Sequence, residues 1–145
     1  MFSKSTEYAL RATLYIAQKA SEEKKIGIEQ ISAAIGSPKS FTAKILQALT
    51  KDNKVVSSAS GPHGGFYLTS KARELPVQAI LQAMGNGEMI QRCVLGLSAC
   101  SEENPCPLHP KYKVIKGQLL SLFESQTIGQ LADEMDAGHS FIKLQ

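Results

Sequence analysis

The sequence predicts a mainly α (α+β) fold, in which one small β-hairpin interrupts a series of helices. Two observations support this: apolar residues recur at helical spacing along most of the 145 residues, and the stretch that favours β-structure surrounds a Gly/Pro-rich tip. The hydrophobic fraction of 43% is ordinary for a globular protein. We therefore expect an ordered chain of about one domain.

The first half of the chain predicts three helices. Residues 5–20 repeat apolar side chains at the spacing of a well-buried helix. A shorter helix is predicted from Ile28 to Ile35, and Gly36 suits its left-handed stop. Ser37 then predicts an N-cap, with Pro38 at the first position of a third helix that runs to about Lys51.

Two short β segments are predicted next, at residues 55–58 and 66–69. Between them lies Gly-Pro-His-Gly-Gly at residues 61–65, which predicts the tip of a hairpin. A helix, a glycine-containing turn, a second helix and a hairpin follow one another in a winged helix-turn-helix unit. We assign residues 1–75 to this unit.

The second half predicts a different organisation. After Pro76 a helix is predicted from 77 to 84, whereas residues 88–108 lack helical periodicity. Helical spacing returns from 110 to 125, and Thr127 with Gln130 predicts a capping box for a last helix at 128–135. We assign residues 76–135 to a loop and long-helix region and 136–145, with His139, to a flexible tail without chemistry.

Charge is distributed unevenly along the chain. Residues 1–71 hold ten Lys/Arg and five Asp/Glu, a net charge of +5, and residues 72–145 hold six and eight, a net charge of −2. A basic first half beside a mildly acidic second half indicates that the first half meets a polyanion.

The third predicted helix is the candidate for reading DNA. It needs donors for base edges and lysines for phosphates on faces that the core does not use. The candidate contacts on this helix are Lys39, Ser40, Thr42, Lys44, Gln47 and Lys51. Ser60, His63 and Gly64 at the hairpin tip are candidates for the minor groove. The plainer interpretation is a pair of helices with a solvated polar face.

The chain contains three cysteines, and all of them fall in the loop at 88–108. The spacing is Cys93-x6-Cys100-x5-Cys106-x2-His109. Soft thiolates grouped in this way indicate ligands for a metal or cluster, and a histidine supplies a further donor. Structural zinc in an S3N shell and a thiol–disulfide switch remain open, and His109 is also placed to cap the following helix.

Several classes of protein are disfavoured. No apolar run reaches the roughly 20 residues needed to cross a bilayer, and the polar start predicts no signal peptide, so we expect a cytoplasmic protein with reduced thiols. An odd number of cysteines argues against a disulfide framework. No catalytic base accompanies a nucleophile and no phosphate-binding loop follows a strand, so we do not expect an enzyme.

Four segments together resemble the Rrf-two family of bacterial winged-helix transcriptional regulators, in particular its IscR-like and NsrR-like branches. They are Tyr8-Ala-Leu-Arg-Ala12, Ile31-Ser-Ala-Ala-Ile-Gly36, Gly61-Pro-His-Gly-Gly-Phe-Tyr-Leu68 and the cysteine set. The resemblance covers residues 1 to about 135, and the glycine-rich hairpin motif is its most specific element. It implies a homodimer on double-stranded operator DNA, joined by a long C-terminal dimerisation helix. The residues expected at that interface are Tyr112, Ile115, Leu119, Leu122 and Phe123.

The resemblance also implies a cofactor. Cys93, Cys100 and Cys106 would ligate an iron–sulfur cluster, either 2Fe–2S or 4Fe–4S, that reports redox, iron or nitric oxide state. His109 is the favoured fourth ligand, and Glu7 of the partner subunit is the alternative. A regulator without a cluster, whose loop serves zinc, thiol redox, a small molecule or a protein partner, is the second hypothesis.

The sequence departs from the family pattern at three positions. Ser60 stands where an arginine usually precedes the Gly-Pro of the hairpin, and His63 replaces a frequent glycine. Ala43 occupies the place of a glutamate that bears on sequence discrimination. The family's operator sequence therefore cannot be carried over to this chain.

Overall fold

A computed structural model describes residues 2–138 and 141–142. The predicted tail at 136–145 lies partly outside the described residues, and so does His139. The elements are α1 (Lys4–Lys19), α2 (Ile28–Ile35), α3 (Lys39–Leu49), β1 (Ser57–Ala59), β2 (Gly65–Tyr67), α4 (Ser70–Arg73), α5 (Gln78–Ala83), α6 (His109–Ser125) and α7 (Ile128–Asp136). Short 3₁₀ turns lie at Lys51–Asn53 and Met89–Gln91. The predicted mainly α (α+β) fold is confirmed.

Helix α1 lies at the centre of the core. Its N-cap, Ser3, accepts a hydrogen bond from the backbone N–H of Thr6. Ala9, Ala12 and Ile16 lie one or two turns apart on the same face and are fully buried. That face packs against α7, α2, α3 and α5, so α1 connects the N-terminal unit to the end of the chain.

The turn between α2 and α3 has the expected glycine but not the expected cap. Gly36 adopts the left-handed conformation at φ 70°, as predicted. The predicted N-cap at Ser37 is wrong, because Pro38 is extended and is itself the capping residue. The hydroxyl of Ser37 is instead directed at the carbonyl of Pro38, at 3.4 Å. Helix α3 ends at Leu49, two residues before the predicted end.

The hairpin pairs β1 with β2 in antiparallel register, with Ser58 opposite Phe66. Its strands are shorter than predicted, because Val55 and Val56 enter the core before the pairing begins. The backbone of Ile26 bridges to Phe66 by hydrogen bonds of 3.1 and 2.8 Å, so the segment before α2 lies beside β2. Gly65 has φ 145°, and a Cβ there would lie 2.6 Å from the carbonyl oxygen of Ile26.

Helix α4 was not predicted, because four residues are too few to show a helical period. Thr69 caps it by accepting from the N–H of Ala72. Its last residue, Arg73, donates to the carbonyls of Ala17 and Gly129 and to the carboxylate of Asp133. This guanidinium therefore links α1, α4 and α7.

The second half begins with a well-buried helix and continues with an exposed segment. Ile80 and Leu81 of α5 are fully buried. Helix α6 begins at His109, one residue before the predicted start, and none of its residues is buried. The predicted capping box of Thr127 and Gln130 at α7 is confirmed. Among the described residues, no helix has the length and apolar character to cross a membrane.

Candidate nucleic-acid interface and cysteine site

The outer face of α3 presents polar side chains to solvent. Ser40, Lys44 and Gln47 are exposed and lie four and three residues apart, so they share one face of the helix. Lys39 is exposed at the start of this helix, and Lys51 is exposed in the 3₁₀ turn that follows it. These residues can reach an external partner without disturbing the core.

Thr42 does not belong to this face. Its side chain is fully buried, and its hydroxyl donates to the carbonyl of Pro38 at 2.9 Å. The expectation that Thr42 contacts DNA is therefore wrong for this conformation. The residue faces inward beside Ile45 and Leu46, which lie one turn further along the helix.

Lys39 is already paired within the chain. Its Nζ lies 2.6 Å from a carboxylate oxygen of Glu29 on α2. The hydrogen bond and the charge of Lys39 lower the pKa of Glu29 below its ordinary value. A phosphate that approaches Lys39 therefore competes with the carboxylate of Glu29 for the same ammonium group.

The hairpin tip is narrow and exposed. Ser60 and His63 are exposed, and Gly61 takes φ 102° at the turn. The N–H of Gly64 closes the tip on the carbonyl of Gly61 at 2.9 Å. A Cβ at Gly64 would overlap the backbone at Ala59 and Ser60, so the tip requires glycine there. This hairpin has the form of a wing beside α3.

The three cysteine thiols converge in the loop before α6. Their Sγ atoms all lie within 4.8 Å of one another. The Sγ atoms of Cys93 and Cys106 are 3.6 Å apart, and the backbone N–H of Cys106 points at Sγ of Cys100, at 3.4 Å. Cys106 is buried, whereas the other two thiols are partly exposed. The fold of the loop thus brings thiols that are 13 residues apart in the sequence into one compact group.

The thiols differ in acidity. Backbone N–H groups, first that of Leu97 and then that of Leu95, outweigh desolvation and lower the pKa of Cys93 to about 7. At Cys100 the N–H of Cys106 acts in the same direction. Burial and the neighbouring thiols Cys106 and Cys93 act against it, and the pKa of Cys100 is raised. Cys93 is therefore more ready than Cys100 to act as a thiolate ligand or nucleophile.

His109 adjoins the thiols through Cys100. Its Nδ1 lies 3.3 Å from Sγ of Cys100, and its Nε2 lies 3.3 Å from a carboxylate oxygen of Glu102. Lys113, one turn along α6, contacts the same carboxylate at 2.7 Å. Hydrogen bonds from Lys113 and then from His109 lower the pKa of Glu102. Glu102 and Lys113 were not predicted, because their role depends on contacts across the loop.

The donor set fits a metal or cluster. Three thiols converge within one loop, and an imidazole nitrogen of His109 lies beside one of them, Cys100. Soft sulfur and nitrogen donors suit iron–sulfur clusters and zinc. Glu7, the predicted alternative ligand, lies on α1, where its carboxylate is 3.8 Å from Nζ of Lys4. Within the described chain Glu7 is not one of the converging ligands.

Helix α6 presents an apolar stripe to solvent. Ile115 is 50% exposed and Leu122 54%, and Val114, which lies off the stripe, is 63% exposed. The residues of the stripe are spaced by four, three, four and three, as in a coiled-coil seam: Leu108, Tyr112, Ile115, Leu119 and Leu122. The sequence did not predict Leu108 or Val114 as part of this exposed apolar surface. Phe123 was predicted at the dimer interface, but its ring packs edge-on against the ring of Phe2 in the same chain, with the ring centroids 5.6 Å apart.

A helix pair with a left-handed glycine turn, a polar outer face and a glycine-tipped wing defines a winged-helix DNA-binding protein. The profile of the Rrf2 family, described as iron-dependent transcriptional regulator, matches residues 2–134. The chain belongs to this family.

Known proteins agree with this assignment. An HTH-type transcriptional regulator of Aquifex aeolicus (strain VF5) is 32% identical over 133 residues, which cover 90% of each chain. The structure of T. potens IscR superimposes with a TM-score of 0.71 at 17% identity, covering 97% of this chain and 92% of that one. The structure of CymR, the global cysteine regulator of B. subtilis, superimposes with a TM-score of 0.70 at 17% identity, covering 92% of this chain and 96% of that one. These relatives are transcriptional regulators and not enzymes, and regulators of this family bind DNA.

Proposed function

We propose that this transcriptional regulator is a homodimer that senses redox, iron or nitric oxide state through an iron–sulfur cluster on its cysteine loop. The convergence of the three Sγ atoms within 4.8 Å carries the proposal. Cys93, Cys100 and Cys106 would hold the cluster, with His109 as the fourth ligand. A bound cluster supplies electron-transfer chemistry whose potential depends on its ligands, hydrogen bonds and solvent exposure.

The loop is suited to a reversible ligand. Apart from Cys106, every residue from 91 to 127 retains some exposure, so little apolar burial holds this segment in place. Binding energy at the thiols would therefore decide much of the loop's order. The family description as iron-dependent agrees with iron as the metal.

Besides the contacts of Glu102, hydrogen bonds connect the loop and the residues just before it to α1 and α6. Just before the loop, the amide of Asn86 donates to the hydroxyl of Thr6 on α1, at 2.6 Å. Nearer the cysteines, Nζ of Lys116 on α6 donates to the carbonyl of Gln91 at 2.8 Å. A change at the cysteines would thus bear on both α1 and α6, and a few kcal/mol of differential stability would shift the population of DNA-binding states.

A second copy of this chain is the proposed partner of α6. The apolar stripe of α6 has heptad spacing, and the described residues bury none of its side chains fully, as expected of one half of a paired interface. Pairing through α6 would place two winged helices in one assembly. Each α3 would meet one half-site through Lys39, Ser40, Lys44, Gln47 and Lys51, with Ser60, His63 and Gly64 of the wing beside it.

A thiol switch is the second candidate. The Sγ atoms of Cys93 and Cys106 are 3.6 Å apart, and Cys93 has a lowered pKa of about 7. A disulfide requires about 2.05 Å. Its formation would release two protons and pass two electrons to an oxidant such as a peroxide, which would be reduced to water.

One anaerobic experiment separates these functions. The protein is purified without oxygen, and its visible absorbance, iron and sulfide are measured together with its retention of promoter DNA. A variant with all three cysteines changed to alanine is compared with it, and wild type treated with peroxide is analysed by peptide mass. We expect a coloured, iron-containing wild type and a colourless, folded triple variant with altered DNA retention. An iron-free wild type whose peroxide treatment joins Cys93 to Cys106 would favour the thiol switch instead.

A further inference from the structure

Glu102 contacts the site but is not one of the expected ligands. It lies in the loop between Cys100 and Cys106, and its carboxylate is mostly exposed. One of its oxygens lies 3.3 Å from Nε2 of His109 and 2.7 Å from Nζ of Lys113. The carboxylate thus joins the cysteine loop to the first turn of α6.

The position of the carboxylate determines what the imidazole can do. A carboxylate accepts hydrogen bonds, so the neutral ring satisfies it only by carrying its proton on Nε2. Nδ1 is then unprotonated, and its lone pair points toward Sγ of Cys100, 3.3 Å away. The ring therefore presents its unprotonated nitrogen to Cys100, one of the three converging thiols.

We propose that Glu102 is a positioning residue that fixes the Nε2–H tautomer of His109 and presents Nδ1 to the metal group held by the three cysteines. A carboxylate behind a ligating histidine orients the ring and raises its basicity. Lys113 supports the arrangement from α6, because its ammonium group contacts the same carboxylate oxygen, at 2.7 Å. This inference rests on the proposed function in one respect, the role of His109 as a ligand.

The test begins with the metal-free, reduced protein. In mildly alkaline buffer, ¹⁵N-resolved NMR of the histidine rings reports which nitrogen of His109 carries the proton. Wild type is expected to show the Nε2–H form, and Glu102→Ala a mixture of tautomers. Glu102→Gln keeps an acceptor oxygen and is expected to restore the wild-type tautomer. A residue that merely holds the loop in place would not produce this pattern.

The second measurement uses Co²⁺ as the probe under anaerobic conditions. Loss of a partner behind a ligating histidine costs about 10-fold or more in metal affinity, so Glu102→Ala is expected to bind Co²⁺ at least that much more weakly. Glu103→Ala is the matched control, since it removes the neighbouring exposed carboxylate, for which no side-chain hydrogen bond or ion pair is found among the described residues. In a His109→Ala background, the change at Glu102 is expected to have no further effect.

The outcomes are separable from the fate of the cluster proposal. An unaltered His109 tautomer in Glu102→Ala, or equal losses of Co²⁺ affinity in the variants at 102 and 103, would overturn the inference even if wild type carries iron. A Glu102 effect that persists without His109 would overturn it as well. Wild type lacking an iron–sulfur cluster would defeat the proposed function alone, because the NMR measurement needs no metal and the Co²⁺ titration needs no cluster.

Discussion

The winged-helix half and the cysteine–α6 segment of this chain are built in opposite ways. From α1 to α5 the structure buries a continuous set of apolar side chains, with Ile16, Ile31, Ile35 and Ile45 at 2% exposure or less. From residue 91 to 127, a stretch that the structure describes in full, Cys106 is the one buried side chain. The winged-helix half packs on its own apolar side chains, whereas the second segment leaves two of its three thiols and its apolar stripe at least partly exposed to solvent.

This difference in burial suggests a division of tasks between the two regions. Elements with a self-contained core suit the task of presenting α3 to DNA. A segment with little burial of its own takes its order from what binds it. In the function proposed above, these would be a metal group and a second chain, so the uneven distribution of burial would separate DNA reading from sensing.

The largest expected effect tests the contrast itself. Ile45→Ala in α3 removes a buried side chain, so it should lower the free energy of unfolding by about 2–5 kcal/mol. Val114→Ala in α6 removes exposed atoms and should change the same quantity by less than about 0.5 kcal/mol. Urea denaturation, at dilutions where the chains are monomeric, measures both. Similar losses in the two variants would show that α6 is stabilised within the monomer after all.

The next effect concerns the apolar stripe. Ile115→Glu should weaken self-association by at least about tenfold, since burying one such side chain contributes about 1.5–3 kcal/mol. Sedimentation equilibrium measures the dissociation constant, and circular dichroism checks that the helices persist. Ser121→Glu introduces the same charge off the stripe and should leave the association intact. If both variants dissociate equally, the stripe is not the interface.

Local signals in the sequence predicted much of the winged-helix half. Helix α2 occupies the predicted residues, because Gly36 marks its end by itself. Outside that half, the capping box of Thr127 and Gln130 at α7 is likewise a property of four consecutive residues. Signals of this kind survive in any tertiary context, and for that reason they could be read without a structure.

Other features depended on contacts that the sequence does not display. The burial of Thr42 has a partial signal, since Ile45, Leu46 and Leu49 follow it at helical spacing, but its polar side chain favoured the outer face. The hydrogen bond between Glu102 and His109 could not be predicted from neighbouring residues, because it joins a loop without regular secondary structure to the first residue of α6. The three cysteines were predicted as a group from spacing and resemblance, whereas their separation and unequal acidity came from the folded loop.

The smallest effect concerns the reading half. Lys44→Ala removes one exposed charge from the outer face of α3, so it should weaken binding to double-stranded DNA and reduce the slope of log affinity against log salt by about 1. Thr42→Ser retains the buried hydroxyl that donates to Pro38 and should leave both quantities unchanged. Fluorescence anisotropy over a series of salt concentrations measures the slope. Because Lys44 lies in the winged-helix half, its effect should be the same with the cysteines intact or replaced. If the effect depended on the cysteines, the cysteine loop would alter the DNA-binding face of α3 itself, and not only the distance between the two α3 helices of the proposed dimer.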